Sequence, residues 1–189
     1  MADTKFTGTG GVLGARSHAV THTMQVLIFA ALTAVGAQIE IPHAPVPFTL
    51  QTFFVLLGGA LLGPWLGAAG MFAYLAAGVA GLPVFSSLGF GFARIIGPTG
   101  GYLLAFPAAA FTVGYLAGAR PTLLRLLVSM TAALLVIFSL GTLQLNIVYF
   151  HDWALSFANG FLIFSWWDAV KLAGAASIAR ALRTTNLFK

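Results

Sequence analysis

Two residues of opposite charge, Asp168 and Lys171, lie in an apolar stretch near the C-terminal end of the sequence, at residues 161–181. If this stretch is a helix, the spacing of three residues places both side chains on one face. The stretch is long enough to cross a bilayer, where one charged side chain costs about 2.5–3.5 kcal/mol on insertion scales. A carboxylate and an ammonium group that offset each other's charge inside a bundle can bind a small polar ligand. The alternative is a structural ion pair near the membrane surface, with the lysine extended toward water.

Charged residues are scarce in the whole chain. They make up 7% of the 189 residues, whereas hydrophobic residues make up 59% and the mean hydropathy is +0.96. A soluble domain carries about 25% charged residues. The composition therefore predicts an all-α integral membrane protein. Cysteine is absent, which excludes disulfides, thiolate metal sites and cysteine nucleophiles.

Six transmembrane helices are predicted to form one bundle. The predicted parts of the chain are a flexible tail (1–17), a single transmembrane domain (18–184) and a C-terminal tail (185–189). Prolines at 42–47 and the pair Gly63-Pro64 mark helix boundaries. Residues 84–97 are apolar, interrupted by glycine and too short to span, which predicts a lid-like loop packed on protein between the third and fourth helices.

The basic residues are distributed unevenly along this predicted topology. Six crossings put both termini on one side of the membrane, and that side holds seven of the nine basic residues: Lys5, Arg16, Arg120, Arg125, Arg180, Arg183 and Lys189. By the positive-inside rule this side is cytoplasmic, so the loops around Arg94 face the outside. The net charge of +5 therefore predicts a membrane orientation rather than a nucleic-acid partner.

Further polar residues stand at the predicted outer ends of the helices. Thr49 and Gln51 follow the proline cluster, where they either face a pocket or cap the start of a helix. At the start of the predicted lid, Phe85 offers an aromatic wall, and Ser86 and Ser87 offer hydroxyl groups.

Three more side chains are candidates for ligand binding, and each of them also has a possible structural role. Arg94 is suited to bidentate binding of a carboxylate, or else to anchoring at lipid headgroups. Tyr74 and Trp167 are candidate ligand walls, although packing and interfacial aromatics are the commoner roles of such residues.

Four segments in the same order resemble one known family. They are HAPVPFTLQTFFVLLGGALLGPWLG (43–67), YLAAGVAGLPVF (74–85), GPTGGYLLAFP (97–107) and the Asp168-Ala-Val-Lys171 spacing. Together they are similar to BioY, the biotin-specific substrate-binding (S) component of energy-coupling factor (ECF) vitamin importers. The resemblance covers roughly residues 24–182. It implies a six-helix S-component in a prokaryotic cytoplasmic membrane, which binds biotin, needs no cofactor and catalyses no reaction.

The resemblance also implies partners and residue roles. Asp168 would accept a hydrogen bond from a ureido N–H of biotin, and Lys171 would donate to the ureido oxygen. A transmembrane coupling protein and two ATPase subunits would supply the energy. Ala30 and Ala34 belong to a small-residue face that suits close helix approach, and the family uses such a face to dock the coupling protein. Packing inside the bundle is the alternative role of these alanines.

Other functions remain as alternatives. The chain lacks G-x-x-x-x-G-K-[ST], so ATP binding by a P-loop is not expected. His18, His22, His43 and His151 have no spacing that suits a metal, and none is predicted. The runner-up functions are an S-component for another small vitamin, an intramembrane enzyme in which Ser86 or Ser87 works with the charged pair, and a polar-solute channel.

Overall fold

The computed structural model describes residues 9–162 and 166–184, with residues 9–18 given by their backbone alone. The α-helices in these ranges are α1 (Thr9–Gln38), α2 (Gln51–Val79), α3 (Phe92–Ile96), α4 (Gly100–Ala117), α5 (Leu123–Leu145), α6 (Trp153–Ser156) and α7 (Trp166–Thr184). Short π-helical stretches, Asn146–Phe150 and Phe157–Phe161, follow α5 and α6. A two-residue strand β1 (Glu40–Ile41) pairs antiparallel with β2 (Phe48–Thr49) between α1 and α2.

Gly63 divides α2 into two halves. Its φ of 81° and ψ of −178° are not helical, and the next residue, Pro64, has no backbone N–H to continue the helix. A Cβ placed on Gly67 would lie 2.9 Å from the Cα of Gly59, a distance that residues eight apart in a straight helix never reach. The two halves therefore lie side by side as a hairpin, as the Gly63-Pro64 pair predicts.

Several helices are long and apolar enough to cross a membrane. Within the described ranges there are four: Ala19–Gln38, Gln51–Val79, Gly100–Ala117 and Leu123–Phe150. A fifth is the broken pair Trp153–Phe161 and Trp166–Thr184. This count takes α2 as one span although Gly63 divides it. The protein is a helical, multi-pass membrane protein, and the number of six crossings stays a prediction.

Close helix packing in this bundle depends on glycine at the contact of α2 with α4. A Cβ on Gly59 would lie 2.3 Å from the carbonyl oxygen of Ala110 and 2.9 Å from its Cα, and backbone atoms cannot yield as a side chain can. We expect Gly59→Ala to destabilise the protein by about 1–3 kcal/mol, because α2 and α4 must separate. Thermal unfolding in detergent measures this. Gly174→Ala is the matched control, since its Cβ would meet only the ring of Phe53, at 3.5 Å; equal melting temperatures of both variants would contradict this account.

The bundle has two distinct ends. We call the end with the C-terminus of α7 and the turn between α4 and α5 the terminal end; there Arg183 Nη1 donates to the carbonyl oxygen of Gly118 at 2.6 Å. The opposite end, here the pocket end, carries the connections 39–50, 80–99 and 151–152. Gln144, near the end of α5, joins that end by donating to the carbonyl of Ile95 at 2.7 Å.

Two helix boundaries differ from the sequence-based expectation. α1 begins at Thr9, so residues 9–17 extend the first helix instead of belonging to a flexible tail; extension of an existing helix adds one hydrogen bond per residue without a new nucleation cost. Residues 1–8 and the tail predicted at 185–189 lie outside the described residues.

The second difference concerns the stretch 161–181. It is not one α-helix: Phe161 ends a π-helical turn in which the N–H of Leu162 donates to the carbonyl of Phe157 at 2.9 Å, five residues back, and α7 begins at Trp166. Beside this turn, the carbonyl of Gly160 accepts from the Tyr102 hydroxyl at 2.9 Å, which joins the π-helical turn to α4. Residues 163–165 lie outside the described part.

Candidate functional site

A pocket lies at the pocket end between α2, α4, α5, α7 and the loop that follows α2. Its empty volume is about 660 Å³, a figure that includes the open space at its mouth. The residues that line it are Val46, Pro47, Phe48, Thr49, Gln51, Thr52, Phe85, Ser86, Arg94, Thr99, Tyr102, Leu103, Phe106, Ile137, Phe138, Asp168 and Lys171. The buried charged pair is thus beside a chamber, and not sealed in dry packing or directed to lipid.

The charged pair has the geometry of a tight, buried ion pair. Lys171 Nζ lies 2.6 Å from Asp168 Oδ1, and both side chains are only 4% exposed. Helix α7 brings them together because positions i and i+3 share a face. Burial removes both groups from water, so their mutual attraction and the surrounding hydrogen bonds must offset the desolvation cost.

Lys171 also joins α7 to the start of α2. Its ammonium group donates to the carbonyl oxygen of Thr49 at 3.0 Å and to Thr52 Oγ1 at 2.8 Å. With Asp168 these are three acceptors for three N–H groups. A ligand that accepts from Lys171 must therefore take the place of one of them.

A chain of hydrogen bonds orients the polar side chains at the start of α2. Thr49 Oγ1 donates to Gln51 Oε1 at 2.7 Å, and Gln51 Nε2 donates to the hydroxyl of Tyr74. Tyr74 in turn donates to the carbonyl of Val84 at 3.1 Å. Both the oxygen and the nitrogen of the Gln51 amide therefore have hydrogen-bond partners, which fixes the orientation of this side chain in the pocket lining. Tyr74 contacts Gln51 from outside the lining.

The segment after α2 covers one side of the pocket. Phe85 and Ser86 are buried and line it. The segment is held to the C-terminal end of α1: Gln38 Nε2 donates to the carbonyl of Phe85 at 3.0 Å, and the N–H of Leu88 donates to Gln38 Oε1 at 3.0 Å. The role of this segment as a lid stays a prediction.

Arg94 reaches the pocket from α3, and its guanidinium group packs on the backbone of Gly89. A Cβ at position 89 would lie 2.5 Å from Arg94 Nε, so a larger residue there would displace the end of this side chain. Within residues 9–162 and 166–184, the guanidinium group has no hydrogen-bond or salt-bridge partner. A cation in this state at a pocket wall can bind an anionic group of a ligand.

The structure therefore brings most of the predicted ligand residues into one lining, and leaves three outside. Tyr74 stands behind Gln51, and Trp167 is half-buried outside the lining. Ser87 lies at the outer surface of the loop, where its hydroxyl donates to Glu40 Oε1 at 2.6 Å.

Other lining residues were not anticipated from the sequence. Thr52, Tyr102, Phe106 and Phe138 line the pocket, and Gln38 holds its cover. Thr52 lies one residue after the predicted Gln51 and three positions after the predicted Thr49, and this clustering of polar residues is the signal that could have indicated it. Nothing in the amino-acid sequence distinguishes the three aromatic lining residues from ordinary core residues.

The predicted docking residues lie elsewhere, on α1. Ala30 and Ala34 are half-buried and pack against the core. The outward face of the same helix carries larger exposed side chains, namely Val20, Met24, Leu27, Ile28 and Val35. Docking through the two alanines stays a prediction.

The lining combines one charged pair, several hydroxyl and amide groups, and a wall of aromatic and aliphatic side chains. Such a site suits a small molecule with a polar head that both donates and accepts hydrogen bonds and an apolar body. Within the described ranges, no group of three His, Asp or Glu side chains could hold a metal ion.

Comparison with known proteins identifies the family. The sequence model of the BioY family matches residues 8–187. A protein of Thermotoga maritima named "Biotin transporter BioY" is 44% identical over 156 residues, which are 82% of this chain and 92% of that protein. A "Probable biotin transporter BioY" of Pyrococcus horikoshii is 44% identical over 158 residues, 84% of this chain and 93% of that protein.

A solved structure agrees with the sequence comparison. The crystal structure of the S-component for biotin from an ECF-type ABC transporter superposes with a TM-score of 0.82 at 25% identity, and the match covers 91% of this chain and 95% of that one. The fold, the sequence relatives and the family match all lead to one assignment: the chain belongs to the BioY family.

Proposed function

We propose that this protein is the biotin-binding S-component of an ECF-type vitamin importer. The observation that carries the proposal is the buried ion pair of Asp168 and Lys171 in the lining of the pocket. Ionisable residues inside a membrane cost free energy, and such residues are therefore rare and mostly functional. The names of the relatives and of the structural neighbour support biotin as the ligand.

The chemistry of biotin matches the pocket group by group. Its ureido ring has two N–H donors and one carbonyl acceptor, next to an apolar thioether ring and a chain that ends in a carboxylate. The carboxylate of Asp168 would accept from a ureido N–H, and the ureido oxygen would replace the hydroxyl of Thr52 as an acceptor for Lys171. The aromatic wall would cover the thioether ring.

The proposal includes the transport cycle in which the protein takes part. Biotin would enter from the extracytoplasmic side at the pocket end, and both termini would be cytoplasmic, because the basic residues concentrate at the terminal end. A transmembrane coupling protein, docked at Ala30 and Ala34, and two ATPase subunits would drive inward transport. Coexpression with and without such a module, followed by uptake of labelled biotin, tests this part.

Calorimetric titration of the purified protein tests ligand identity. Biotin, thiamine and riboflavin are added in separate titrations to the protein in detergent. We expect stoichiometric binding of biotin alone. Binding of thiamine or riboflavin in preference to biotin would show that the pocket serves another vitamin, and turnover of any of the three would show an enzyme.

A substitution of Thr52 tests whether the ureido oxygen of biotin replaces the Thr52 hydroxyl as an acceptor for Lys171. Thr52→Val keeps the shape of the side chain but removes the hydroxyl that accepts from the ammonium group. The ureido oxygen would displace this hydrogen bond, which stabilises only the free protein by about 1.5–3 kcal/mol, so we expect biotin affinity to rise by about tenfold. Thr112→Val is the matched control, since that hydroxyl donates to the Ala108 carbonyl of its own helix at an exposed position. Equal affinities of both variants would contradict a role for Thr52.

Arg94 is predicted to bind the carboxylate of biotin. Arg94→Gln should lower biotin affinity by about tenfold, and should leave the affinity for biotin amide, which has no carboxylate, nearly unchanged. Titration of both ligands measures the difference. Arg125→Gln, at the terminal end, is the control. If Arg94→Gln weakens both ligands equally, the carboxylate lies elsewhere.

A further inference from the structure

A second cavity opens at the terminal end, on the far side of the bundle from the proposed biotin site. Its empty volume is about 1690 Å³, including the space at its mouth. It lies between the break in α2 at Gly63, the turn from α4 to α5, and the last turn of α7. Nothing in the proposed function uses this cavity.

Three arginines line the cavity, and no Asp or Glu of the described residues does: Arg120, Arg180 and Arg183. Arg183 is partly buried and is held in place, because its Nη1 donates to the carbonyls of Gly118 and Ala119 at 2.6 and 3.1 Å. Within residues 9–162 and 166–184, Arg120 and Arg180 have no hydrogen-bond or salt-bridge partner and are exposed. The cavity is therefore positive without a protein counter-charge and attracts anions. Guanidinium groups match the geometry of phosphate oxygens.

Aromatic residues at the rim indicate that the cavity lies at the depth of the lipid headgroups. Trp65 and Tyr115 directly follow two lining residues, Pro64 and Gly114, and are 77% and 69% exposed. Phe111 packs between them, with ring centroids 5.0 Å from Trp65 and 6.0 Å from Tyr115. Exposed Trp and Tyr side chains concentrate where the hydrocarbon core meets the headgroups. Phosphates at that depth belong to phospholipids, with acyl chains that can lie along the exposed apolar surface.

We propose that this cavity binds the phosphate headgroup of an anionic phospholipid. Arg120 and Arg180 would contact the phosphate from the two sides of the opening, and Arg183 would contribute charge from within the wall. Basic pockets between transmembrane helices recognise anionic headgroups by this chemistry. The inference is independent of the ligand in the first pocket.

Native mass spectrometry of the full chain tests the proposal. The protein is released from micelles that contain equal amounts of phosphatidylglycerol, which is anionic, and phosphatidylethanolamine, which is zwitterionic. We expect phosphatidylglycerol adducts to dominate, and Arg120→Gln and Arg180→Gln each to reduce this preference by about fivefold. Arg125→Gln is the matched control, because it removes the same charge at the same end from a side chain outside the cavity lining; its preference should change by less than about twofold. The thermal unfolding temperature of each variant in detergent reports that it is folded.

Three results would overturn the proposal. Equal adducts of both lipids would show that the cavity does not select an anionic headgroup, and would leave an acidic segment of a partner protein as the alternative occupant. Equal losses in the Arg125 variant would show attraction by net charge only. Displacement of phosphatidylglycerol by millimolar inorganic phosphate would identify a soluble anion as the ligand. None of these results bears on whether the first pocket binds biotin.

Discussion

Replacement of Lys171 by methionine is expected to lower biotin affinity by at least about a hundredfold. The change removes the donor for the ureido oxygen and leaves the carboxylate of Asp168 buried without the ammonium group that lies 2.6 Å from it. Loss of one partner of a buried pair costs about 3–5 kcal/mol of stability. The thermal unfolding temperature should fall together with the affinity. Calorimetric titration and thermal unfolding of the same preparation measure the two effects.

Instability alone can abolish binding, so Lys171→Met must be compared with a second variant that regains stability but still lacks the charged pair. The double variant Asp168→Asn with Lys171→Met removes both charges, so no uncompensated ion stays buried. We expect its unfolding temperature to lie between that of Lys171→Met and that of the wild type, with biotin binding still lost. Recovery of binding together with stability would mean that the pair has only a structural role.

The second large effect is expected for Asp168→Asn alone. Asparagine has the same shape as aspartate but no negative charge, so a ureido N–H loses a charged acceptor. Hydrogen bonds to charged groups are roughly twice as strong as neutral ones, a difference of about 1–1.5 kcal/mol, and we expect a loss of affinity of about tenfold. Stability should fall less than in Lys171→Met, because Lys171 keeps two acceptors, the carbonyl of Thr49 and the hydroxyl of Thr52.

Asp152→Asn is the matched control for this substitution. Asp152 lies at the pocket end but outside the pocket lining, and its carboxylate caps α6 by accepting from the N–H of Leu155 at 2.9 Å. Asparagine caps helices nearly as well as aspartate. Biotin affinity and stability of this variant should therefore be close to those of the wild type. If Asp168→Asn behaves like Asp152→Asn in the titration, Asp168 does not contact the ligand.

Much of the site could be predicted because its residue types are rare in a membrane. In a chain with 7% charged residues, a carboxylate and an ammonium group three positions apart in an apolar stretch stand out, and their cost in lipid implies a function. The helix boundary at Gly63-Pro64 was equally visible, since proline and glycine act locally on the backbone. These features depend on short-range chemistry, which the sequence displays directly.

The features of the site that could not be predicted depend on contacts between residues far apart in the sequence. Lys171 meets Thr52 across 119 positions, and the Gln38 side chain meets the backbone of Phe85 across 47. No periodicity in the sequence marks such pairs. The hydrogen bond from the Tyr102 hydroxyl to the carbonyl of Gly160 is a further example, since it joins residues 58 positions apart.

A crystal or cryo-EM structure of the protein with biotin bound tests the central claim most directly. The measured quantities are the distances from the ureido nitrogens to the carboxylate of Asp168 and from the ureido oxygen to Lys171 Nζ. We predict hydrogen-bond distances of about 2.7–3.2 Å for both, with the ring against the aromatic wall. Biotin bound at another place, with the contacts of Lys171 to Asp168, Thr49 and Thr52 unchanged, would contradict the account.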